Sequence, residues 1–179
     1  MFSLLIRRDG LIDPPAMGRT DAHCHVLPGL AIEVVAGAEY YAEPELLERI
    51  ERRDLLAFGE ERYVLFESPV EQQPMILEEI GFRLLAAGYT PLLAHVERYR
   101  FLQQDLEAVE HLRRIGIRFQ VNHPSFHLPK TSHRGEMARR LYTKGFADVL
   151  GTDMHRAVPW DVPSRSAELR AHARPRLGR

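Results

Sequence analysis

Asp21-Ala22-His23-Cys24-His25 is the stretch from which the fold and the chemistry are predicted. In an extended strand successive side chains point to opposite faces, so Asp21, His23 and His25 are expected to share one face. Neutral imidazoles bind borderline divalent metals, and a nearby carboxylate ligates the metal or orients a ring. The pattern therefore predicts a strand that presents metal ligands. An H-x-H pair is also typical of histidines that are exposed or hydrogen-bonded near a strand end.

Residues of the same chemical types recur further along the chain. Four of them each end an apolar run of their own: Glu39, His95, Asp153 and His155. Enzymes with parallel strands build their active sites where the carboxyl ends of the strands meet. Together with His23 and His25, these residues form a predicted site for two or more divalent ions. A carboxylate such as Glu39 can bridge two metals, and the mixture of ligands suits manganese, iron or zinc.

Length and composition are those of one ordinary globular domain. The chain has 179 residues and a formal net charge of -1, so charge gives no argument for binding nucleic acid or a membrane surface. Cys24 is the only cysteine, which excludes an internal disulfide and suits a reducing cytoplasm. No apolar run reaches the ~20 residues of a spanning helix, and the first residues lack a signal-peptide pattern. We therefore expect a cytoplasmic protein.

Apolar runs with strand character alternate with helical patterns. Strands are predicted at residues 19–26, 32–39, 63–66, 91–94, 117–121 and 148–152. Helices are predicted at residues 43–50, 75–87, 106–115 and 134–144. This alternation is typical of an α/β fold with parallel strands.

The two ends of the chain are expected to lie outside the domain. Residues 1–16 end in Asp13-Pro14-Pro15, which continues neither a helix nor a strand, so they are interpreted as a loosely attached N-terminal extension. The domain itself is predicted to span residues 17–162. Residues 163–179 are short, basic and weakly apolar, as expected of a C-terminal tail.

Two arginines lie within three residues of a predicted ligand, Arg98 and Arg156. A planar guanidinium grips phosphate with paired hydrogen bonds, so both are candidate phosphate-binding catalytic residues. The alternative for Arg98 is a surface ion pair with Glu97 or Asp105, and Glu97 itself is expected to be solvated. Three more histidines lie in a loop that either roofs the site or lies at the surface: His123, His127 and His133.

Four motifs occur here in one order: Asp21 to Gly29, Ala36 to Tyr41, Leu93 to Tyr99 and Gly151 to Arg156. This set resembles the polymerase and histidinol phosphatase (PHP) family, specifically the bacterial metal-dependent tyrosine-protein phosphatases of capsule and exopolysaccharide operons. The resemblance implies a distorted (β/α) barrel with parallel strands and outer helices. It also implies a trinuclear site, usually filled by manganese, that hydrolyses phosphotyrosine on a partner tyrosine kinase.

The resemblance assigns a role to each predicted ligand. His23 and His25 would bind the first metal, and Glu39 would bridge two metals. His95 would bind the second metal, and Asp153 and His155 would complete the cluster. Val96 departs from the family, whose motif has a proline at that position.

A second departure is larger. Between Gly29 and Ala31 the family carries an Asp-Asp-Gly turn, a helix and a further strand, and this chain lacks that segment together with two expected ligands of the third metal. The link Leu27–Ala31 spans roughly 17 Å when fully stretched, which is too short for a crossover between adjacent parallel strands. We therefore expect the first strand to be displaced or antiparallel, or the barrel to be incomplete.

Two classes of function follow from these patterns. The first is a metal-dependent phosphomonoesterase that hydrolyses protein phosphotyrosine, with a small phosphate ester as the alternative substrate. The second is a catalytically impaired, truncated remnant that acts only as a metal- or partner-binding module. A thiolate phosphatase is excluded because Leu30 stands where an arginine is required after Cys24. An unpaired sheet edge left by the short link would favour a homo-oligomer.

Overall fold

Strands and helices alternate along the part of the chain that the structure, a computed structural model, describes: residues 2–7, 20–24 and 33–153. The strands are β1 (Phe2–Arg7), β2 (Thr20–Cys24), β3 (Glu33–Tyr41), β4 (Tyr63–Glu67), β5 (Thr90–Leu93), β6 (Arg118–Asn122) and β7 (Val149–Gly151). The helices are α1 (Pro44–Arg52), α2 (Leu77–Ala86), α3 (Arg100–Gln104), α4 (Leu106–Arg114) and α5 (His133–Thr143). Short 3₁₀ turns lie at Val96–Arg98 and His123–His127.

The strands form one sheet in the order β2-β1-β3-β4-β5-β6-β7. The strands from β3 to β7 are all parallel, and at least one helix lies between each consecutive pair. The two ends of the sheet approach each other, since β2 lies against β7. The sheet is thus curled into a half-barrel, and the predicted incomplete (β/α) barrel with parallel strands and outer helices is confirmed.

The N-terminal residues differ from the sequence prediction. Phe2–Arg7 is not a loose extension, because it forms β1 and pairs antiparallel with both β2 and β3. This part of the interpretation of residues 1–16 is wrong. The strand is apolar over Leu4, Leu5 and Ile6, and it gains backbone partners on both sides, which the local sequence does not reveal.

The position of β1 explains the short link after the first motif. Since β1 is antiparallel to both neighbours, β2 runs in the same direction as β3 but one strand further away. Cys24 and Ala36 both lie opposite Leu4, so β2 ends level with the first half of β3. A link of eight residues reaches about 26 Å and needs to cross only about 10 Å of sheet. The expected displacement of the first strand is therefore confirmed.

Buried apolar side chains fix the parallel strands against the helices. Val64, Leu65 and Phe66 of β4 are fully buried, as are Leu92 and Leu93 of β5. Such continuous apolar runs are typical of parallel strands that are covered on both faces. Within the described ranges no helix is both long and apolar enough to cross a membrane.

Helix α4 begins at an N-cap that can be tested directly. The Asp105 carboxylate accepts hydrogen bonds from the backbone N–H groups of Glu107 at 2.9 Å and Ala108 at 3.0 Å. Replacing Asp105 by alanine is expected to lower the free energy of unfolding by about 1 kcal/mol, because both N–H groups lose that acceptor. Urea denaturation measures the loss. Asp54→Ala, at an exposed residue, is the control, and equal stability of the two variants would contradict this role for Asp105.

Candidate metal centre

Three acidic or histidine side chains converge where neighbouring parallel strands end. Glu39 lies near the carboxyl end of β3, Glu67 is the last residue of β4, and His95 follows β5. The His95 Nε2 atom lies 3.3 Å from Glu39 Oε1 and 3.4 Å from Glu67 Oε2. One ligand atom from each residue lies within 4.8 Å of the others, and no other group of three such residues occurs in the part of the chain that the structure describes. We refer to these residues as the acid–histidine cluster.

The cluster places two carboxylates around one imidazole, and most of it is buried. The side chains of His95 and Glu39 are only 3% and 8% exposed, whereas that of Glu67 is 38% exposed. Burial acts to lower the pKa of His95, but hydrogen bonds to Glu39 and Glu67 outweigh it and raise that pKa to about 9. In the metal-free protein this shift favours a protonated His95 between the two carboxylates near pH 7. Glu67 opens the cluster to solvent on one side.

The donor set of the cluster fits a divalent cation. Two carboxylates and one imidazole are a mixture of oxygen and nitrogen ligands that suits borderline divalent metals. The three ligand atoms already lie close together. With a neutral imidazole the cluster carries two negative charges, which a divalent cation would neutralise. Glu39, Glu67 and His95 are therefore the described residues that would hold a metal.

Metal binding by the cluster is expected to release a proton and to tighten as the pH rises. Imidazole must be neutral to ligate, so loading near pH 7 should displace about one proton from His95, whose pKa is about 9. In the metal-free protein the pH dependence is opposite, because the contribution of His95 to folding stability falls as the pH rises. Protonated His95 stabilises the fold fully below its ordinary pKa of 6.5, and this contribution is lost as the pH rises through about 9. Calorimetry in two buffers with different ionisation heats counts the proton, and a count near zero would contradict the prediction.

The predicted residues Arg98 and Asp153 meet beside the cluster. The Arg98 guanidinium lies 2.9 Å from Asp153 Oδ2, and the same oxygen accepts a hydrogen bond of 3.2 Å from Asn122 Nδ2. The alternative that Arg98 pairs at the surface with Glu97 or Asp105 is wrong. Arg98 instead forms an ion pair with Asp153, which lies two residues beyond the last parallel strand.

Glu97 is not solvated, as the sequence suggested, but fully buried. Its carboxylate accepts hydrogen bonds from Ser125 Oγ at 2.8 Å and from the Asn122 backbone N–H at 3.3 Å. Burial raises the pKa of Glu97, while these donors act to lower it. Glu97 therefore ties the turn after His95 to the end of β6.

The other predicted site residues are placed only in part. His23 lies in β2, whose direction brings its carboxyl end to the same side as the other parallel strands. His25, His155 and Arg156 lie outside the described residues. Of the three histidines predicted to lie in a loop, His123 and His127 belong to the second 3₁₀ turn and His133 begins α5. His127 and His133 are exposed, and His123 is partly buried.

Glu67 is the residue that the sequence analysis missed. It ends the apolar strand Tyr63–Glu67 in the same way that Glu39 ends its own run. The signal that singled out Glu39 and His95, a ligand-type residue closing an apolar run, was therefore present. Glu67 stands outside the four motifs of the family resemblance, and for this reason it was not among the predicted ligands.

Comparison with known proteins places the chain in a family. A family model described as capsular polysaccharide synthesis, CpsB/CapC, matches residues 29–170, which is most of the chain. The chain belongs to the CpsB/CapC family. This agrees with the resemblance seen in the four sequence motifs.

Members of the CpsB/CapC family that resemble this chain include two phosphatases. Tyrosine-protein phosphatase CpsB of Streptococcus pneumoniae is 29% identical over 129 residues, which cover 68% of this chain and 52% of that protein. Tyrosine-protein phosphatase YwqE of Bacillus subtilis is 31% identical over 103 residues, which cover 58% of this chain and 37% of that protein. The chain spans about half the length of the curated relatives it matches.

A solved structure of the CpsB/CapC family also matches. It belongs to crystallographic work on YwqE from Bacillus subtilis and CpsB from Streptococcus pneumoniae, described there as unique metal-dependent tyrosine phosphatases. The TM-score is 0.61 at 25% sequence identity, over 68% of this chain and 49% of that chain. The half-barrel described above is therefore a fold that this family uses.

Proposed function

We propose that this CpsB/CapC-family chain is a metal-dependent phosphomonoesterase that hydrolyses protein phosphotyrosine and regulates capsule or exopolysaccharide synthesis. The observation that carries the proposal is the acid–histidine cluster at the carboxyl ends of three neighbouring strands. Relatives named as tyrosine-protein phosphatases support the same reaction. The proposal extends to this chain an activity named for relatives of which the chain covers only about half.

Manganese is the proposed metal, with iron or zinc as alternatives that the same ligands accept. Glu39, Glu67 and His95 would hold one ion. The remaining predicted ligands would extend the site toward β2 and β7: His23, His25, Asp153 and His155. A bound divalent cation supplies Lewis-acid stabilisation of phosphate charge and activates water for attack on phosphorus.

Arg98 is proposed to bind the phosphate group of the substrate, together with Arg156. The Arg98 side chain is 36% exposed, and its ion pair with Asp153 keeps the guanidinium beside the site. An arginine held in this way offers further N–H donors in a planar fork that matches phosphate oxygens. Its role is therefore to orient the ester and to neutralise charge that develops on it.

The proposed partner is a protein that carries phosphotyrosine, in particular a bacterial tyrosine kinase. The single cysteine, Cys24, agrees with a cytoplasmic location. A homo-oligomer is proposed as well: β2 lies against β7 but pairs in the sheet only with β1, and a strand with one hydrogen-bonded neighbour can pair with a second copy.

The experiment that tests the proposal loads the purified chain with manganese and measures hydrolysis of p-nitrophenyl phosphate and of a phosphotyrosine peptide. Turnover of both, lost on chelation and restored by manganese, is expected. A phosphoserine peptide of the same sequence is the matched control for the leaving group. Metal binding without any turnover would contradict the proposed enzymatic activity and favour a module that only binds metal. Turnover of small esters but not of the peptide would contradict a protein substrate.

A further inference from the structure

A continuous series of hydrogen bonds runs beneath the proposed metal site, through two amide side chains of β6. The His95 backbone N–H donates to Gln120 Oε1 at 2.6 Å. Gln120 Nε2 donates to Asn122 Oδ1 at 2.9 Å, and Asn122 Nδ2 donates to Asp153 Oδ2 at 3.2 Å. We call Gln120 and Asn122 the amide pair. The amide pair links His95, two residues after β5, to Asp153, two residues after β7, across β6 between them.

The direction of this series is fixed at both ends. A backbone N–H only donates, so Gln120 must present its oxygen to His95 and its NH₂ group to Asn122. The Asp153 carboxylate only accepts when ionised, so Asn122 must present its NH₂ group there and its oxygen to Gln120. Each of the three hydrogen bonds in the series then joins a donor to an acceptor. Each of the two positions therefore requires a side chain that has both a donor and an acceptor.

The two residues held by the amide pair have unusual backbone conformations. His95 has φ 36° and Asp153 has φ 51°, and both values lie in the left-handed region that non-glycine residues rarely adopt. Such conformations persist where the surroundings hold them in place, and they occur often at functional sites. The hydrogen bonds of the amide pair reach one of these residues at the backbone and the other at the side chain.

The amide pair is itself buried and braced. Gln120 is fully buried and Asn122 is 4% exposed, and residues two apart on a strand point to the same face. The Asn122 backbone N–H also donates to the buried Glu97 carboxylate at 3.3 Å. A buried amide without partners is costly, so this position of the two side chains is strongly preferred.

We propose that Gln120 and Asn122 are positioning residues that hold the metal ligand His95 and the Asp153–Arg98 ion pair in one fixed arrangement. Neither residue needs to touch metal or substrate, since they act through the residues they hold. This inference rests on the proposed function, because it assigns the amide pair a task in metal and phosphate binding. Partners behind metal ligands commonly change metal affinity or activity by about 10–100-fold when removed.

The first test measures manganese affinity by calorimetry in four proteins: the parent, Gln120→Met, Asn122→Leu and the double variant. Each single variant should raise the dissociation constant by about 10–100-fold. Because the series is broken by either change, the double variant should lose little more than the weaker-binding single variant. The proposal would be overturned if the loss in the double variant equalled the product of the two single losses. It would also be overturned if the variants bound manganese as tightly as the parent. Asp105→Ala is the control for a destabilised fold with an intact site.

The second test needs no metal and therefore separates this proposal from the proposed function. Hydrogen exchange of the His95 backbone N–H is measured in the metal-free parent, Gln120→Met, Gln120→Glu and Asp105→Ala. Exchange should accelerate at least about tenfold in Gln120→Met and stay near that of the parent in Asp105→Ala. Gln120→Glu keeps an acceptor opposite that N–H and should retain protection. Unchanged exchange in Gln120→Met would overturn the proposal, whereas a parent that binds no manganese would overturn only the proposed function.

Discussion

Glu39→Gln is expected to abolish turnover, with a loss larger than the roughly 100-fold that removal of a supporting residue can cause. The substitution keeps the shape of the side chain and removes its charge. Glu39 Oε1 lies 3.3 Å from His95 Nε2 in a largely buried position, so the lost charge cannot be replaced by solvent. Steady-state hydrolysis of p-nitrophenyl phosphate in excess manganese measures the effect.

Glu45→Gln is the matched control for Glu39→Gln. It makes the same chemical change at a side chain on helix α1 that is 58% exposed and paired with Arg49. Its activity should stay within about threefold of that of the parent, since exposed ion pairs contribute little. Activity of Glu39→Gln within the same range would count decisively against a Glu39 ligand.

Glu67→Gln is expected to cause a loss of similar size in manganese affinity and in turnover. Its carboxylate lies 3.4 Å from His95 Nε2, and it completes the only cluster of three ligand-type residues within the described ranges. Without it a metal would keep one carboxylate and one imidazole from this cluster, so affinity should fall by more than about 100-fold. Calorimetry with manganese measures the change.

Glu71→Gln provides the comparison for Glu67→Gln. Glu71 lies four residues further on, is 66% exposed and forms an exposed ion pair with Arg100. Equal affinities for the Glu67→Gln variant and the parent would show that the cluster binds metal without Glu67. The metal ligands would then be those that the sequence motifs alone predicted.

The sequence predicted the alternation of strands and helices because parallel strands leave a strong local signal. Runs such as Pro91–Ala94 are apolar throughout, and most of the predicted bounds differ from the observed ones by one or two residues. The proximity of Glu39 and His95 was also predictable, because both end such runs and parallel strands end at one edge. Glu67 obeyed the same rule, yet it lay outside the motifs of the family resemblance.

Long-range pairing was not predictable in the same way. Strand β1 lies between β2 and β3, and its sequence, Phe2–Arg7, contains no sign of the strands it pairs with. Strand pairing depends on partners far along the chain, which local patterns do not specify. The proline-rich stretch after it suggested an extension, because a break in local structure resembles a domain boundary.

The burial of Glu97 shows a related limit. A charged residue is solvated in most proteins, and only specific donors compensate its burial. Those donors are the Asn122 backbone N–H and the Ser125 hydroxyl, both more than twenty residues away. The sequence shows the charge of Glu97, whereas its role depends on a turn and a strand end that only the fold brings together.

The central claim is that the acid–histidine cluster binds a divalent metal, and the most direct measurement is the manganese content of the protein. The chain is loaded with manganese, dialysed to remove free ion and examined by elemental analysis, beside Glu39→Gln and Glu67→Gln treated in the same way. About one or two equivalents per chain are expected for the parent, and far less for either variant. A parent chain that stays free of metal after loading, or variants that retain as much manganese as the parent, would contradict the account.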